Sequence, residues 1–307
     1  MGGRLQGITI GLLGGDRREI RLLEALVAEG ARVHAVGYLP SMLPPGDVHP
    51  FSDPVAAVTG VDVVIAPMSN TDQEGWIKSC PDPQLTIKID AALCRVLPPG
   101  TPLLIGVAKP IIRRLARDYD LQLVETAEDD ELAILNSIPT AEGALQLAMD
   151  ELPITIHGSR QVVIGFGRCG ITLARLLAAV GAQVTVVARS SAQRARALEM
   201  GLGAVDFGEL KEVCRLAQAV HNTVPHLVLT REILEVMARE VVIIDLASAP
   251  GGTDFQAAEE LGIKARLALA LPGQVAPVTA GEILAATYPG IILRSLRHRT
   301  GPVGGAP

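Results

Sequence analysis

Aromatic side chains are scarce in this chain, and so are cysteines placed to act together. Phe, Trp and Tyr make up 3% of the 307 residues while 49% are hydrophobic, so the interior must be built from Ala, Val, Leu and Ile. That composition suits helices packed on parallel sheets. The four cysteines, Cys80, Cys94, Cys169 and Cys214, are widely spaced, with no Cys-x-x-Cys pair and no His/Cys cluster at metal-ligand spacing. They read as reduced, mostly buried thiols of a cytosolic protein, and no metal site is expected. Basic charge is also short: 27 Lys and Arg face 33 Asp and Glu, a net charge of −6, which excludes a field for nucleic acid or anionic lipid. The apolar run Ile8 to Leu13 is cut off at Gly14-Gly15-Asp16-Arg17-Arg18, well short of a signal or spanning length, so no targeting or transmembrane segment is expected. A Gly-x-Ser-x-Gly elbow and a Walker lysine are missing too, which leaves hydrolase and kinase readings unsupported.

What is present is a twofold βαβ rhythm. In the first half, Ile8 to Leu13, Val33 to Tyr38, Val61 to Ala66, Leu103 to Val107 and Leu121 to Val124 read as buried strands, with helix patterns at Arg17 to Glu29, Pro54 to Val58 and Pro110 to Asp118. In the second half, strands at Gln161 to Ile164, Gln183 to Ala188, Ala219 to Asn222, Val241 to Leu246 and Ala265 to Ala268 alternate with helices. The fold class expected is α/β: two doubly wound parallel-sheet, Rossmann-like domains with an interdomain cleft. Residues 1–135 form the first, a flavodoxin- or Rossmann-like substrate or partner domain, completed by a C-terminal helix at 280–296. The connection is expected to be helical, Asp129 to Leu135 and then, after Pro139, Thr140 to Glu151, with 136–151 as the linking helix, and the cofactor domain spans 152–276. A frayed tail is expected at 297–307.

The sharpest local signal is Gln161-Val-Val-Ile-Gly165-Phe166-Gly167-Arg168-Cys169-Gly170. Gly165 permits a tight turn, Gly167 lets the backbone approach a pyrophosphate, and Gly170 lets the helix pack on the strand; the helix N-terminus offers donors to the phosphates. At the end of the next strand an NAD-binding chain usually places Asp or Glu for the ribose hydroxyls. Here Arg189, Ser190 and Ser191 follow, with Arg194 one turn on. Guanidinium and hydroxyl groups donate to a 2′-phosphate that a carboxylate would repel, so NADP(H) is the expected cofactor.

Ligands of open α/β sheets sit beyond the carboxyl ends of the strands, which points to the segments that follow each one. Asn222, Thr223, Val224 and Pro225, with Ala247 and Ser248, are candidates for the cofactor, although turn chemistry explains Asn222 and Thr223 equally well. His221 and Asp245 are weak catalytic candidates, one as acid or base and the other as an electrostatic group or a turn cap. Ser69, Asn70 and Thr71 in the first domain, Asn136, Ser137 and Thr140 at the hinge, and Gly252 and Thr253 are candidates for substrate contact. Gly14-Gly15-Asp16-Arg17 reads as a tight turn into a helix, or as a loop facing substrate or partner.

Leu135-Asn-Ser-Ile-Pro-Thr-Ala-Glu-Gly143, Thr155-Ile-His-Gly-Ser159, Ala188-Arg-Ser-Ser191, Asp245-Leu-Ala-Ser248, Pro250-Gly-Gly-Thr-Asp-Phe255 and Leu271-Pro-Gly-Gln-Val-Ala-Pro277 together resemble the A-subunit of bacterial dipicolinate synthase over nearly the whole chain. A more distant likeness is to D-2-hydroxyacid dehydrogenases and S-adenosylhomocysteine hydrolase. The resemblance implies a sporulation enzyme of the mother-cell cytoplasm, acting with a flavoprotein-like B-subunit. The pair would oxidise a small cyclic dicarboxylate, a dihydrodipicolinate-level product of the lysine pathway, to dipicolinate. It maps an NADP site onto Gly165, Gly167, Gly170, Arg189, Ser190 and Ser191, and an oligomer is expected. The chain departs from the family at His221, where relatives carry an apolar residue, and at Asn70, where a Pro-x-Ser-Gly-Thr loop loses its glycine. There are two alternatives: an NADP-binding scaffold whose flavoprotein-like partner carries the chemistry, and a D-2-hydroxyacid dehydrogenase. The Arg and Glu-His groups of the latter cannot be placed here.

Overall fold

The computed structural model describes residues 3–69 and 71–300, with side chains up to Arg297. The chain divides into two compact units, one made of the residues up to Ala133 together with those from Pro277 onward, the other of Ile134–Ala276. In the first unit the order is β1 Thr9–Leu13, α1 Arg17–Ala28, β2 Arg32–Val36, β3 Val48–Phe51, α2 Pro54–Val58 and β4 Val63–Ile65. A small antiparallel hairpin follows, β5 Trp76–Ile77 and β6 Ile87–Lys88, then α3 Ala91–Arg95, β7 Pro102–Ile105, α4 Pro110–Asp118 and β8 Gln122–Glu125. Helix α5, Asp130–Glu151, leads into the second unit.

The second unit runs β9 Arg160–Ile164, α6 Arg168–Ala179, β10 Gln183–Val187, α7 Ser191–Glu199, β11 Gly203–Val205, α8 Leu210–Leu216, β12 Ala219–Asn222, α9 Arg231–Leu234, β13 Val242–Asp245, α10 Phe255–Leu261, β14 Lys264–Leu267 and α11 Leu271–Val275. Helix α12, Pro277–Thr300, belongs to the first unit. Helix therefore extends past 297, where a frayed tail was expected, and residues from 301 on lie outside those described.

The two six-stranded sheets are all parallel and share one topology. Their orders are β3-β2-β1-β4-β7-β8 and β11-β10-β9-β12-β13-β14, so each reads 3-2-1-4-5-6 when its own strands are counted in chain order. Both are doubly wound Rossmann sheets, and the reversal of winding falls between β1 and β4 and between β9 and β12. Strands such as Val63-Val64-Ile65 are buried on both faces and read as continuous apolar runs. Edge strand β3 escapes sequence reading because Val48-His-Pro-Phe51 lacks a pattern; its proline is tolerated only at an edge.

Pro139 does not break α5, contrary to the expectation from sequence. A proline deprives the preceding turn of one N–H donor. That donor would have met the Leu135 carbonyl; the carbonyls on either side of it take side-chain bonds, from Ser137 Oγ to Ile134 at 2.6 Å and from Thr140 Oγ1 to Asn136 at 2.8 Å. Around Pro289 of α12, Thr287 likewise donates to the Ile283 carbonyl. Helix α12 crosses α1 closely at Gly281, where a Cβ would stand 2.8 Å from that of Arg21. Its Tyr288, fully buried, reaches Thr126 Oγ1 at 3.1 Å.

Candidate functional site

In the second unit the turn from β9 into α6 requires each of its three glycines for a different reason. Gly165 has φ +92°, and a Cβ on it would stand 2.3 Å from Thr223 Oγ1. A Cβ on Gly170 would fall 2.1 Å from the Gly165 carbonyl oxygen. At Gly167, the N-cap of α6, a Cβ would meet nothing within 4 Å, and no side chain caps the helix. The first two glycines let strand and helix approach; the third leaves open space before uncapped N–H groups, the arrangement that takes a pyrophosphate.

Strand β10 lies in register beside β9, Val187 opposite Ile164, and delivers Ala188 and Arg189 next to this turn. Arg189, Ser190 and Ser191 are all exposed, and Ser190 stands at the N-cap of α7 without using its hydroxyl to cap it. Arg194 is engaged within the fold. Its Nη1 donates to the carbonyls of Ala188 and Arg189, at 2.9 and 2.8 Å, and so shapes the turn that carries Arg189. Gln193, not singled out by sequence, ties α7 to the glycine turn through Nε2 and the Phe166 carbonyl at 2.9 Å. Cys169, second in α6, has its thiol pushed up to about 11 by burial, which leaves it a protonated packing group beside Arg168.

Several other candidates are consumed internally. Asp245 is fully buried; Oδ1 accepts from Asn222 Nδ2 and Ala247 N, and Oδ2 from Gly252 N and Thr253 Oγ1, at 2.7 to 3.1 Å. It is the clamp of the loop after β13, not a group facing a reaction. Asn222 completes this knot by pairing with both Val224 N and the Val224 carbonyl. Gly252 is packed so tightly that a Cβ would lie 2.4 to 2.5 Å from three neighbouring atoms. Gly252 and Thr253 thus face inward and offer nothing to a substrate. Thr223 Oγ1 donates to the Ile164 carbonyl, while Pro225 and Ser248 are exposed on the loops.

His221 is also removed from acid-base duty. It is fully buried, with Nε2 2.8 Å from Gln161 Oε1 and Nδ1 without a partner. Because an amide oxygen only accepts, Nε2 carries the proton. Burial pushes the imidazole down to about 4, so it is neutral and sealed at pH 7. Ser137, nearly fully buried, bonds Thr172 Oγ1 at 2.6 Å and fastens α5 to α6; Asn136 and Thr140 remain half-buried on α5.

The first unit has a second constellation at its own switch point. Gly15 has φ +126°, and Asp16 caps α1 in a box with Glu19: the Asp16 side chain accepts from Arg18 N and Glu19 Oε2 from Asp16 N. Glu19 Oε1 also accepts from Met68 N at 2.9 Å, joining the β1–α1 turn to the loop after β4. Arg18 binds Asp16 through Nε and Nη2 and donates from Nη2 to Ser69 Oγ at 2.6 Å. Thr71 Oγ1 is buried without a partner, and Asn70 lies outside the described residues. Burial, opposed by Arg18 and reinforced by Asp16, pushes the Glu19 carboxyl up to about 7. Sequence reading missed Arg18 and Glu19, although Asp16-x-x-Glu19 was a legible capping-box pattern.

No helix among the described residues is long and apolar enough to cross a membrane, and none of their His, Cys, Asp and Glu side chains form a group that could hold a metal ion. Residues 9–127 match the family model of the dipicolinate synthase A-subunit N-terminal domain, and residues 140–251 that of the D-isomer specific 2-hydroxyacid dehydrogenase NAD binding domain. Unit two is accordingly a nicotinamide-dinucleotide-binding domain. The dipicolinate synthase A-subunit of Bacillus subtilis (strain 168) is 39% identical over 290 residues, covering 92% of this chain and 94% of the relative. The crystal structure of the dipicolinate synthase A-subunit from Bacillus halodurans superposes with a TM-score of 0.88 at 35% identity, over 94% of this chain and 99% of that one. The corresponding structure from Bacillus subtilis gives 0.87 at 37% identity, over 96% and 98%. With a glycine turn built for a dinucleotide and a sequence shared along nearly its full length, the chain belongs to the dipicolinate synthase A-subunit family.

Proposed function

We propose that this chain is the NADP-binding subunit of an oxidoreductase that converts a dihydrodipicolinate-level ring to dipicolinate. The observation that carries the reading is the exposed Arg189-Ser190-Ser191 run beside the Gly165–Gly170 turn, with no carboxylate between Ala188 and Ala195. An adenosine ribose placed there meets a guanidinium and two hydroxyls, donors for a 2′-phosphate. When bound, NADP+ supplies the hydride acceptor. The substrate loses a hydride and a proton, and gain of aromaticity makes the step downhill, so orientation of the C–H bond outweighs the need for a strong base.

The chain's own part is to bind and orient. Gly167 and the uncapped start of α6 receive the pyrophosphate, Asp245 and Asn222 hold the loops after β13 and β12, and Ser69, Thr71 and Asn136 remain as substrate contacts. A flavoprotein-like B-subunit, an oligomeric assembly and the mother-cell cytoplasm of a sporulating bacterium complete this reading through the family resemblance. Purified chain with its partner, fresh substrate and NADP+ tests it by absorbance. Dipicolinate and NADPH are expected in equal amounts; dipicolinate formed without NADPH overturns it.

One observation favours a second reading, a cofactor-binding scaffold with the chemistry in the partner. His221 and Asp245 are both buried and internally bonded, so neither supplies an acid or base from the second unit. Arg189→Glu separates the two readings, since a scaffold keeps turning over after NADP affinity collapses.

A further inference from the structure

The switch point of the first sheet contains a buried cation whose recognition capacity is only partly spent. Arg18 is 4% exposed. Its Nε and Nη2 are committed to Asp16 and Ser69, while Nη1 has no hydrogen-bond partner among the described residues. Two hydroxyls of the segment that follows Ser69 are likewise unspent: Thr71, 7% exposed, and Ser79 each bury an oxygen that bonds nothing. The segment carrying both folds over the glycine turn. Thr71 pairs with Ile77 in an antiparallel bridge, Gly15 N donates to the Ser79 carbonyl at 2.9 Å, and Ile77 Cγ2 would stand 3.1 Å from a Cβ on Gly14. Buried polar atoms without partners are rare because each costs the hydration it has lost, so these two on a segment that folds over the β1–α1 turn mark a place for a ligand.

We propose that this switch point is a carboxylate-binding site in which Arg18 is the recognition residue and the hydroxyls of Thr71 and Ser79 are auxiliary donors. With Nε and Nη2 locked by Asp16 and Ser69, the guanidinium keeps the two N–H donors of Nη1 in a fixed direction, where they meet a carboxylate as charge-assisted donors. Asp16 and Glu19 do not cancel this capacity: Asp16 occupies the Nε–Nη2 edge, and both Glu19 oxygens are turned to backbone N–H groups. The other titratable groups about the cluster, Tyr38 and Tyr288, are neutral phenols raised by burial. The ligand class is a small planar carboxylate. The assignment rests on the reading that this unit meets the substrate.

Calorimetry on the full chain tests it, with dipicolinate, benzene-1,3-dicarboxylate and inorganic phosphate as probes and NADPH binding as control. Arg18→Lys is expected to weaken carboxylate binding by about tenfold or more, and Thr71→Val by about threefold to tenfold, with Thr71→Ser restoring it and NADPH affinity unchanged. Should Arg18→Lys fail to fold, the Thr71 pair decides alone. Carboxylate affinity equal to wild type in Arg18→Lys and Thr71→Val, tighter binding of phosphate than of either carboxylate, or no carboxylate binding by the wild type, overturns the site. If the variants lose carboxylate binding but the assembled enzyme turns over normally with Arg18→Lys, the site stands and the substrate reading behind it falls.

Discussion

His221 donates its Nε2 proton to Gln161 Oε1 at 2.8 Å, with both side chains buried inside the second sheet. A histidine held neutral in the fold stabilises it fully above its unfolded pKa of 6.5, and that stability is lost as pH falls from 6.5 toward about 4. The loss amounts to about 3 kcal/mol at about 1.4 kcal/mol per unit. His221→Gln should flatten this acid limb in urea titrations at a series of pH values while turnover stays at the wild-type level. A large loss of turnover in a folded His221→Gln protein would restore the imidazole to the chemistry.

Glu19 has the opposite sign. Its folded pKa is raised to about 7 from 4.5, so its contribution favours the fold most at low pH and falls away as pH rises from 4.5 through 7. The side-chain carboxyl carbon of Glu19, followed by NMR, should titrate near neutrality, well after the exposed glutamates. A midpoint at the ordinary glutamate value would contradict its burial between Asp16, Arg18 and Met68.

The three glycines of the dinucleotide turn are expected to separate fold from binding. Gly170→Ala places a methyl 2.1 Å from a backbone oxygen and should destabilise by about 2 kcal/mol or more, lowering the melting temperature. Gly167→Ala meets no protein atom, so it should melt like the wild type and still lose NADPH binding, read by fluorescence. Equal NADPH affinity in Gly167→Ala would mean that no phosphate approaches there.

Arg189→Glu puts a carboxylate where the 2′-phosphate is expected. NADPH affinity should fall by about tenfold to a hundredfold, as for loss of a charge-assisted hydrogen bond, while NADH affinity holds or improves. Parallel fluorescence titrations with the two nucleotides check this; an equal fall for both removes Arg189 from cofactor selection.

Asp245→Asn exchanges two acceptors for one acceptor and one donor inside a knot of four donors. At least one buried N–H or O–H then loses its partner, at a cost of about 1–3 kcal/mol. The mutant should melt earlier, with loss of activity following loss of structure. Normal melting with abolished turnover would instead return Asp245 to the reaction.

The doubly wound class, most strands of both sheets and the dinucleotide turn were legible in the chain, because apolar runs of strand length and Gly-x-Gly-x-x-Gly are local signals. Edge strand β3 and the uninterrupted α5 were not. An edge strand needs no alternation of its own, and Pro139 removes a single helical bond from a 22-residue helix that Ser137 fastens to α6.

By itself the sequence determined where a dinucleotide turn forms and which residue types follow β10, since these depend on backbone freedom and residue chemistry within a short span. Only the tertiary structure decided which polar side chains are spent and which are free. Asp245, Asn222, Ser137 and His221 are bonded to partners from 2 to 60 residues away, and Arg18 meets Ser69 across 51. Whether a buried polar group serves the fold or a ligand depends on the atoms around it, and folding brings those atoms from distant parts of the chain.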